Sequence, residues 1–342
     1  MHVYQDVWVD GKVKQKGIRE CEKRYSPIYE HCKKYSRKRS FTVLDIGACL
    51  GYFSFRLVSE LPAISVMFEC NPDYINALAG PLQKDNLLSG LIRQQYRKNR
   101  LVLMNRRLSL GDLRELAKCE HFDVVLALRV VHHFKEPFAD VIDAIVSLGN
   151  YTFLELPTDK EPKVRARKRV CQELADHSAV LEKYNYKLVA ETQSHVGPGL
   201  SPMYLIRNPN TNKVVKPYWG SRRRLKHTIK STFSEKTIVK KEKHRDRGAL
   251  RKKWVSGINL YTYHKLGGIW PSRKDVSVML RGYKLPKNSP LTDIAMWNFI
   301  VWGGAVKLID HDSINNSGGK PFPRKSAQAQ LTKVANKILR GR

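Results

Sequence analysis

Asp45, Gly47 and Gly51 stand in the order Asp-x-Gly-x-x-x-Gly inside the stretch Thr42 to Phe55, TVLDIGACLGYFSF. The stretch reads as a buried strand (Val43, Leu44, Ile46) that breaks into a glycine turn and then a helix opening at Tyr52. Glycines in such a turn let the backbone come close to a ligand, and a helix start offers free N–H donors. The chemistry this suits is the holding of a nucleotide-like group. The spacing is not the Gly-x-Gly-x-x-Gly that goes with a dinucleotide pyrophosphate. Glu69 lies 18 residues beyond Gly51 (69 − 51), at the end of a second apolar run, where a carboxylate can accept two hydrogen bonds from a ribose diol. Far downstream, Asp293, Asn298 and Asp310 form a second constellation. One Asp can orient or deprotonate an acceptor hydroxyl, while an Asn and a second Asp hold Mg²⁺ against phosphates.

These residues need a scaffold, and the hydrophobic pattern supplies one. An amphipathic helix is expected over about 17–36, with Ile18, Cys21, Tyr25, Ile28, Tyr29 and Cys32 on one stripe. After the opening strand, further strands are expected at 64–68, 101–108, 122–128 and 151–156, with helices at 52–60, 72–88, 113–118 and 137–148. Strands alternating with helices at this spacing describe a parallel sheet with right-handed crossovers. A helix at 171–183 and two last strands, 186–192 and 202–207, close it. Asp112 stands where a side chain could meet an adenine amino group, and it equally suits an N-cap of the helix at 113–118. His132 and His133 follow the fourth strand beside the cleft, where His133 is the better placed general base.

The charge is unusual: 62 Lys and Arg against 31 Asp and Glu give a net +31, a field that favours nucleic acid, phosphorylated glycans or an anionic membrane face. From Lys213 to Trp254 sixteen cations face three acids, interleaved with Tyr218, Trp219 and Trp254. The chain shows no apolar run long enough to span a membrane and no signal-peptide core at its start. Cys21, Cys32, Cys49, Cys70, Cys119 and Cys171 are scattered without metal-ligand spacing, which suits reduced thiols. Both point to a cytoplasmic protein.

The order strand-Asp-x-Gly-x-x-x-Gly, strand-Glu, Gly-Asp and FDVVLALRVVHHF resembles the class I S-adenosylmethionine-dependent methyltransferases over about residues 40–208. The resemblance implies a Rossmann-like doubly wound α/β sheet. It implies that Asp45, Gly47 and Gly51, with Tyr52 beside them, cradle the methionine end of the cofactor. It puts Glu69 on the ribose, Asp112 near the adenine, and Leu128 and Arg129 along the cleft. Methyl transfer from a sulfonium is an in-line displacement from an activated donor. The protein then supplies alignment, exclusion of water and, where the acceptor must lose a proton, a base.

The segments RVVHHF, FLELPTDKEP, SPMYLIRN and TDIAMWNFIV…LIDHDSI, in this order, are similar to the bifunctional methyltransferase–kinases that terminate bacterial O-antigen polymannose chains. In that family a kinase phosphorylates a terminal sugar and the methyltransferase methylates the phosphate. The similarity implies that Lys240 contacts ATP phosphates, that Asp293 is the catalytic Asp, and that Asn298 and Asp310 bind Mg²⁺. The sequence departs from the kinase pattern in reading Leu291-Thr292-Asp293, in lacking a glycine-rich loop before Lys240, and in leaving only 52 residues between Lys240 and Asp293. It reads as a reduced, smaller and basic α+β kinase-like domain. The expected organisation is an N-terminal arm and helix (1–40), a methyltransferase domain (41–210), the kinase-like domain (211–316) and a basic C-terminal helix (317–342). The expected function is methyl transfer to a glycan or glycan phosphate. The alternatives are a nucleic-acid methyltransferase gripping the phosphate backbone through its basic region, and a binding module built on an inactive kinase fold. The amphipathic terminal helix (Leu331, Val334, Ile338, Leu339) suits packing on its domain or contact with an anionic membrane surface.

Overall fold

The computed structural model describes residues 3–9, 11–36, 40–79, 100–157, 177–195, 199–209, 214–215, 228–230, 236–239, 250–253, 258–284, 294, 296, 299–301, 305–308 and 324–340. Strands β1 (Val7–Val9) and β2 (Lys12–Gln15) form an antiparallel hairpin ahead of helix α1 (Cys21–Ser36). Then strands and helices alternate: β3 (Phe41–Ile46), α2 (Tyr52–Glu60), β4 (Ala63–Glu69), α3 (Pro72–Ala79), β5 (Leu101–Asn105), α4 (Leu110–Cys119), β6 (Phe122–Leu128), α5 (Phe138–Ser147) and β7 (Gly149–Glu155). After α6 (His177–Leu181), the long strands β8 (Asn185–Gln193) and β9 (Leu200–Arg207) return antiparallel.

Every residue of β3 and β4 is buried, as strands covered by helices on both faces must be, so they read as near-continuous apolar runs rather than alternating ones. β3 pairs in parallel with β4 on one side and β6 on the other; β5 and β7 extend the two halves. β9 inserts antiparallel between β7 and β8. Helices α1 and α2 and the N-terminal hairpin cover one face; α4 and α5 cover the other. The hairpin is held on α2 by Arg56, whose guanidinium lies 3.8 Å from the Tyr25 ring centre and 4.5 Å from that of Trp8.

Several boundaries differ from expectation for identifiable reasons. α1 starts at Cys21, not 17, because Gly17 forms a bridge with Val3 instead. β5 stops at Asn105. Ser109, not Asp112, caps α4: the Ser109 hydroxyl accepts the Asp112 N–H while the Asp112 carboxylate accepts the Ser109 N–H, a reciprocal capping box that starts the helix at Leu110. The helix expected at 72–88 runs from Pro72 to Ala79, and the rest of that range lies outside the described residues.

Beyond residue 209 short strands β10 (Val214–Val215), β11 (Thr228–Lys230), β12 (Lys236–Val239) and β13 (Leu250–Lys253) form an antiparallel sheet in chain order. There follow β14 (Ile258–Asn259), α7 (Leu260–Lys265), β15 (Gly268–Trp270), α8 (Arg273–Arg281), the hairpin β16 (Phe299–Val301) and β17 (Val306–Leu308), and α9 (Arg324–Arg340). β15 supplies an eighth sheet strand: it pairs antiparallel with β5, completing the order β15-β5-β4-β3-β6-β7-β9-β8. α7, α8, β16 and α9 share one continuous apolar core with α4 and α5, through Leu260, Tyr263, Leu280, Phe299 and Ile338. On α9, Leu331 and Ile338 are buried whereas Leu339 is exposed, so the apolar stripe is spent on packing. Among the described residues no helix is long and apolar enough to cross a membrane.

Candidate functional site

β3 and β6 are neighbours while the chain between them turns back through β4 and β5, so the strand order reverses beside the C-terminal end of β3. Ligands of open α/β sheets sit at such a switch point. The glycine turn is there. Gly47 takes a φ of +73° and Gly51, the residue before α2, a φ of +75°. A Cβ on Gly47 would lie 2.6 Å from Val130 Cγ1, and one on Gly51 2.7 Å from Phe55 Cε2, so neither position has room for a side chain. The Gly47 and Ala48 N–H groups both donate to Phe68 O at 2.9 and 3.1 Å, which folds the turn over the end of β4.

Glu69 latches this fold. Its Oε2 accepts the Cys49 N–H at 2.7 Å, and its Oε1 accepts those of Cys70 (2.7 Å) and Asn71 (2.8 Å). A carboxylate offers about four acceptor directions; three are used among the described residues, two on Oε1 and one on Oε2. Asp45 lies beneath the turn, 3% exposed, with Ser54 Oγ donating to its Oδ2 at 2.6 Å. It therefore props the turn rather than lining it. Burial pushes its pKa from 3.8 up to about 7, with the Ser54 hydrogen bond opposing and Glu69 adding to the rise. Such a group binds its proton more tightly folded than unfolded. Its contribution to stability is complete below about pH 4 and is lost as pH rises through about 7. Wild-type melting temperature is expected to fall by at least about 2 °C between about pH 6 and 8, and Asp45→Asn to flatten that slope, as read by differential scanning calorimetry.

The other expected residues separate into two groups. Leu128, Arg129, His132 and His133 stay together at the C-terminal end of β6, on a left-handed Arg129 (φ +58°) and a single 3-10 turn over Val131–His133. The two imidazoles sit 4.1 Å apart, His132 half-buried and His133 exposed. Tyr52 and Asp112 have their polar groups engaged within the chain. The Tyr52 side chain is fully buried against Trp8 and Tyr25, its hydroxyl donating to Glu22 at 3.1 Å and accepting from Arg56 at 2.6 Å. The Asp112 carboxylate is taken up by Ser109 and by Arg106 Nη2 at 2.9 Å, contacts that hold its pKa down against partial desolvation. Lys240, Asp293, Asn298 and Asp310 lie outside the described residues. The described elements around them are β12, which ends one residue before Lys240, and the β16–β17 hairpin between Asn298 and Asp310.

A cluster that sequence reasoning missed lies beside this end of the sheet. Glu155, the last residue of β7, is fully buried and pairs with Arg19 Nη2 at 2.7 Å and Arg24 Nε at 3.6 Å. Thr192 Oγ1 also donates to Glu155 (3.2 Å), and Arg19 Nη1 donates to His195 Nδ1 at 2.8 Å. Arg129 joins through its backbone N–H on Glu155 O (3.0 Å) and its guanidinium on Ser201 Oγ. Tyr4 covers the cluster, its ring 5.1 Å from His195. Desolvation lowers the Arg19 pKa, and Arg24 lowers it further, so the guanidiniums repel one another. Among the described residues Arg19 and Arg24 share the one carboxylate of Glu155, and Arg24 Nη2 has no hydrogen-bond partner there. A buried guanidinium N–H without a partner is costly, and an oxyanion is the group that satisfies it best. One signal was present in the sequence: Arg24 sits between Cys21 and Tyr25 on the apolar stripe of its helix.

Five parallel strands in the order β5-β4-β3-β6-β7, the antiparallel β9 between β7 and β8, and a glycine turn at the end of β3 decide the fold. It is the class I methyltransferase fold. No protein-family model matches the chain. Two curated Escherichia coli proteins described as the O-antigen chain terminator bifunctional methyltransferase/kinase WbdD are each 24% identical over 213 residues, 60% of this chain and 28% of theirs. The chain thus spans well under a third of these relatives' length. Among solved structures, the bifunctional kinase-methyltransferase WbdD is similar at a TM-score of 0.48 and 18% identity, covering 98% of this chain and 85% of that one. The magnesium protoporphyrin IX methyltransferase of Synechocystis PCC 6803 with bound SAH is similar at 0.36 and 14%, covering 55% and 82%.

Proposed function

We propose that this protein is an S-adenosylmethionine-dependent methyltransferase acting on the phosphate of a glycan, its methyltransferase unit joined to a kinase-like region. The glycine turn carries the cofactor assignment: two left-handed glycines with no space for a Cβ, at the switch point of a methyltransferase sheet, form a backbone cradle that fits the cofactor. Gly47 and Gly51 would admit its methionine end, and Glu69 would offer the remaining acceptor direction on Oε2 to its ribose. The bound cofactor supplies a methyl group already activated on a sulfonium. The chain then has to align an acceptor oxygen and exclude water.

The arginine cluster favours phosphate as that acceptor. Arg24, with its Nη2 unpartnered among the described residues and the Arg19 guanidinium beside it, offers the forked donor geometry that would match an oxyanion. An ionised phosphate oxygen needs no base. His133→Ala is therefore expected to lower turnover on a phosphorylated mannoside by less than about threefold, whereas loss of a general base costs about 100-fold or more. Methyl transfer from labelled S-adenosylmethionine, compared between a phosphorylated and an unphosphorylated mannoside, tests this reading. Equal transfer to both would refute the phosphate assignment.

The kinase-like part of the proposal, with ATP and Mg²⁺ as cofactors, rests on residues outside the described ones. It has support in the hairpin β16–β17, which stands between Asn298 and Asp310 as a metal-binding Asn and Asp require. The nucleic-acid alternative rests on the side chains of residues 213–254, which also lie outside.

A further inference from the structure

Among the described residues, the C-terminal elements reach the neighbourhood of the candidate cofactor site through backbone. β15 runs antiparallel to β5, pairing Gly268 with Met104 and Trp270 with Leu103. Just before it, Gly267 accepts the Asn105 N–H on its carbonyl at 3.0 Å. Asn105 is the last residue of β5, and the next residue, Arg106, donates its N–H to Glu69 O at 3.0 Å and its guanidinium to Asp112 at 2.9 Å. Glu69 in turn holds the Cys49 N–H of the glycine turn. A continuous chain of hydrogen bonds therefore runs from the α7–β15 connection to the wall expected to face the nucleoside.

The same elements grip the far end of α4. Glu120, 8% exposed at the C-cap of α4, accepts the Asn259 N–H at 2.9 Å and the Thr262 hydroxyl at 2.8 Å. So α4 is tied at its start through Arg106–Asp112 and at its end through Glu120, and both ties lead to the segment 258–268. Gly267 is built for close approach: its φ is +76°, and an added Cβ would stand 3.0 Å from Asn105 O.

We propose that Gly267 and Glu120 are positioning residues for the nucleoside side of the cofactor site, so that the C-terminal elements and cofactor binding are energetically coupled. This rests on the S-adenosylmethionine assignment. Coupling of this kind commonly changes affinity about 5- to 150-fold. The test is titration of the full-length protein with S-adenosylhomocysteine, alongside melting temperature. Gly267→Ala is expected to raise the dissociation constant about tenfold, and Glu120→Ala to do the same in part by loosening the other tie. Ile338→Ala, which removes core packing from α9 without touching either tie, lowers the melting temperature but leaves the dissociation constant within about twofold. Where Gly267→Ala does not fold, Glu120→Ala carries the comparison. Wild-type affinity in both tie variants, or a loss in Ile338→Ala as large as theirs, would overturn the coupling while the cofactor assignment stands. A wild-type protein that does not bind S-adenosylhomocysteine overturns both together.

Discussion

Gly47→Val is expected to raise the dissociation constant for S-adenosylmethionine about 100-fold while leaving a folded protein. At a φ of +73° an L-residue is strained, and a β-branched one most of all. The new Cβ would also stand 2.6 Å from Val130 Cγ1, a buried side chain in the segment that leads into the histidine turn. Strain of about 1–2 kcal/mol, with a steric term of similar size, amounts to roughly two factors of ten in affinity. Gly111→Ala is the matched control. Its Cβ would meet only Ser109 Oγ, at an ordinary 3.7 Å, and affinity is expected to hold. Isothermal titration of the three proteins reads the difference directly.

The second large effect separates a binding cluster from a structural one. Arg24→Met keeps most of the side-chain volume and removes one of the two buried guanidiniums that share Glu155. Replacing an imperfectly balanced buried ion with an apolar side chain is often neutral or stabilising. The expected result is unchanged or raised stability in urea, together with a fall of about 100-fold or more in kcat/KM for a phosphorylated acceptor, as lost charged hydrogen bonds imply. The opposite pattern, a stability loss above about 2 kcal/mol with acceptor kinetics intact, would mean that Arg24 serves only Glu155.

The parts of the site that could be read in the sequence are those made by neighbours along the chain. Strand, glycine turn and helix from Phe41 to Glu60 are one local unit, and Glu69 follows it closely enough to be placed by counting. Asp112 shows the limit of that approach. Two polar residues three apart both suit a cap, and only the reciprocal hydrogen bonds show that Ser109 takes the position and occupies the Asp112 carboxylate. Tyr52 adjoins the turn in sequence, yet its ring is drawn the other way by Trp8, Tyr25 and Arg56 from the N-terminal segment.

The arginine cluster was out of reach for a different reason. Arg19 and Glu155 are 136 residues apart and Arg19 and His195 176, so no spacing rule connects them. β15 escaped notice because three residues carry no alternation, and a strand this short exists only by virtue of its partner β5. Both features come from long-range contacts, which no local pattern encodes.

The cofactor assignment underlies every other step, and calorimetric titration of the intact protein with S-adenosylmethionine tests it most directly. The expected result is a single site with a dissociation constant of about 1–100 µM, in the range common for enzyme substrates. That site should be lost in Gly47→Val and retained in Gly111→Ala. No detectable binding to the wild-type protein at about 1 mM, or equal binding to Gly47→Val, would contradict it.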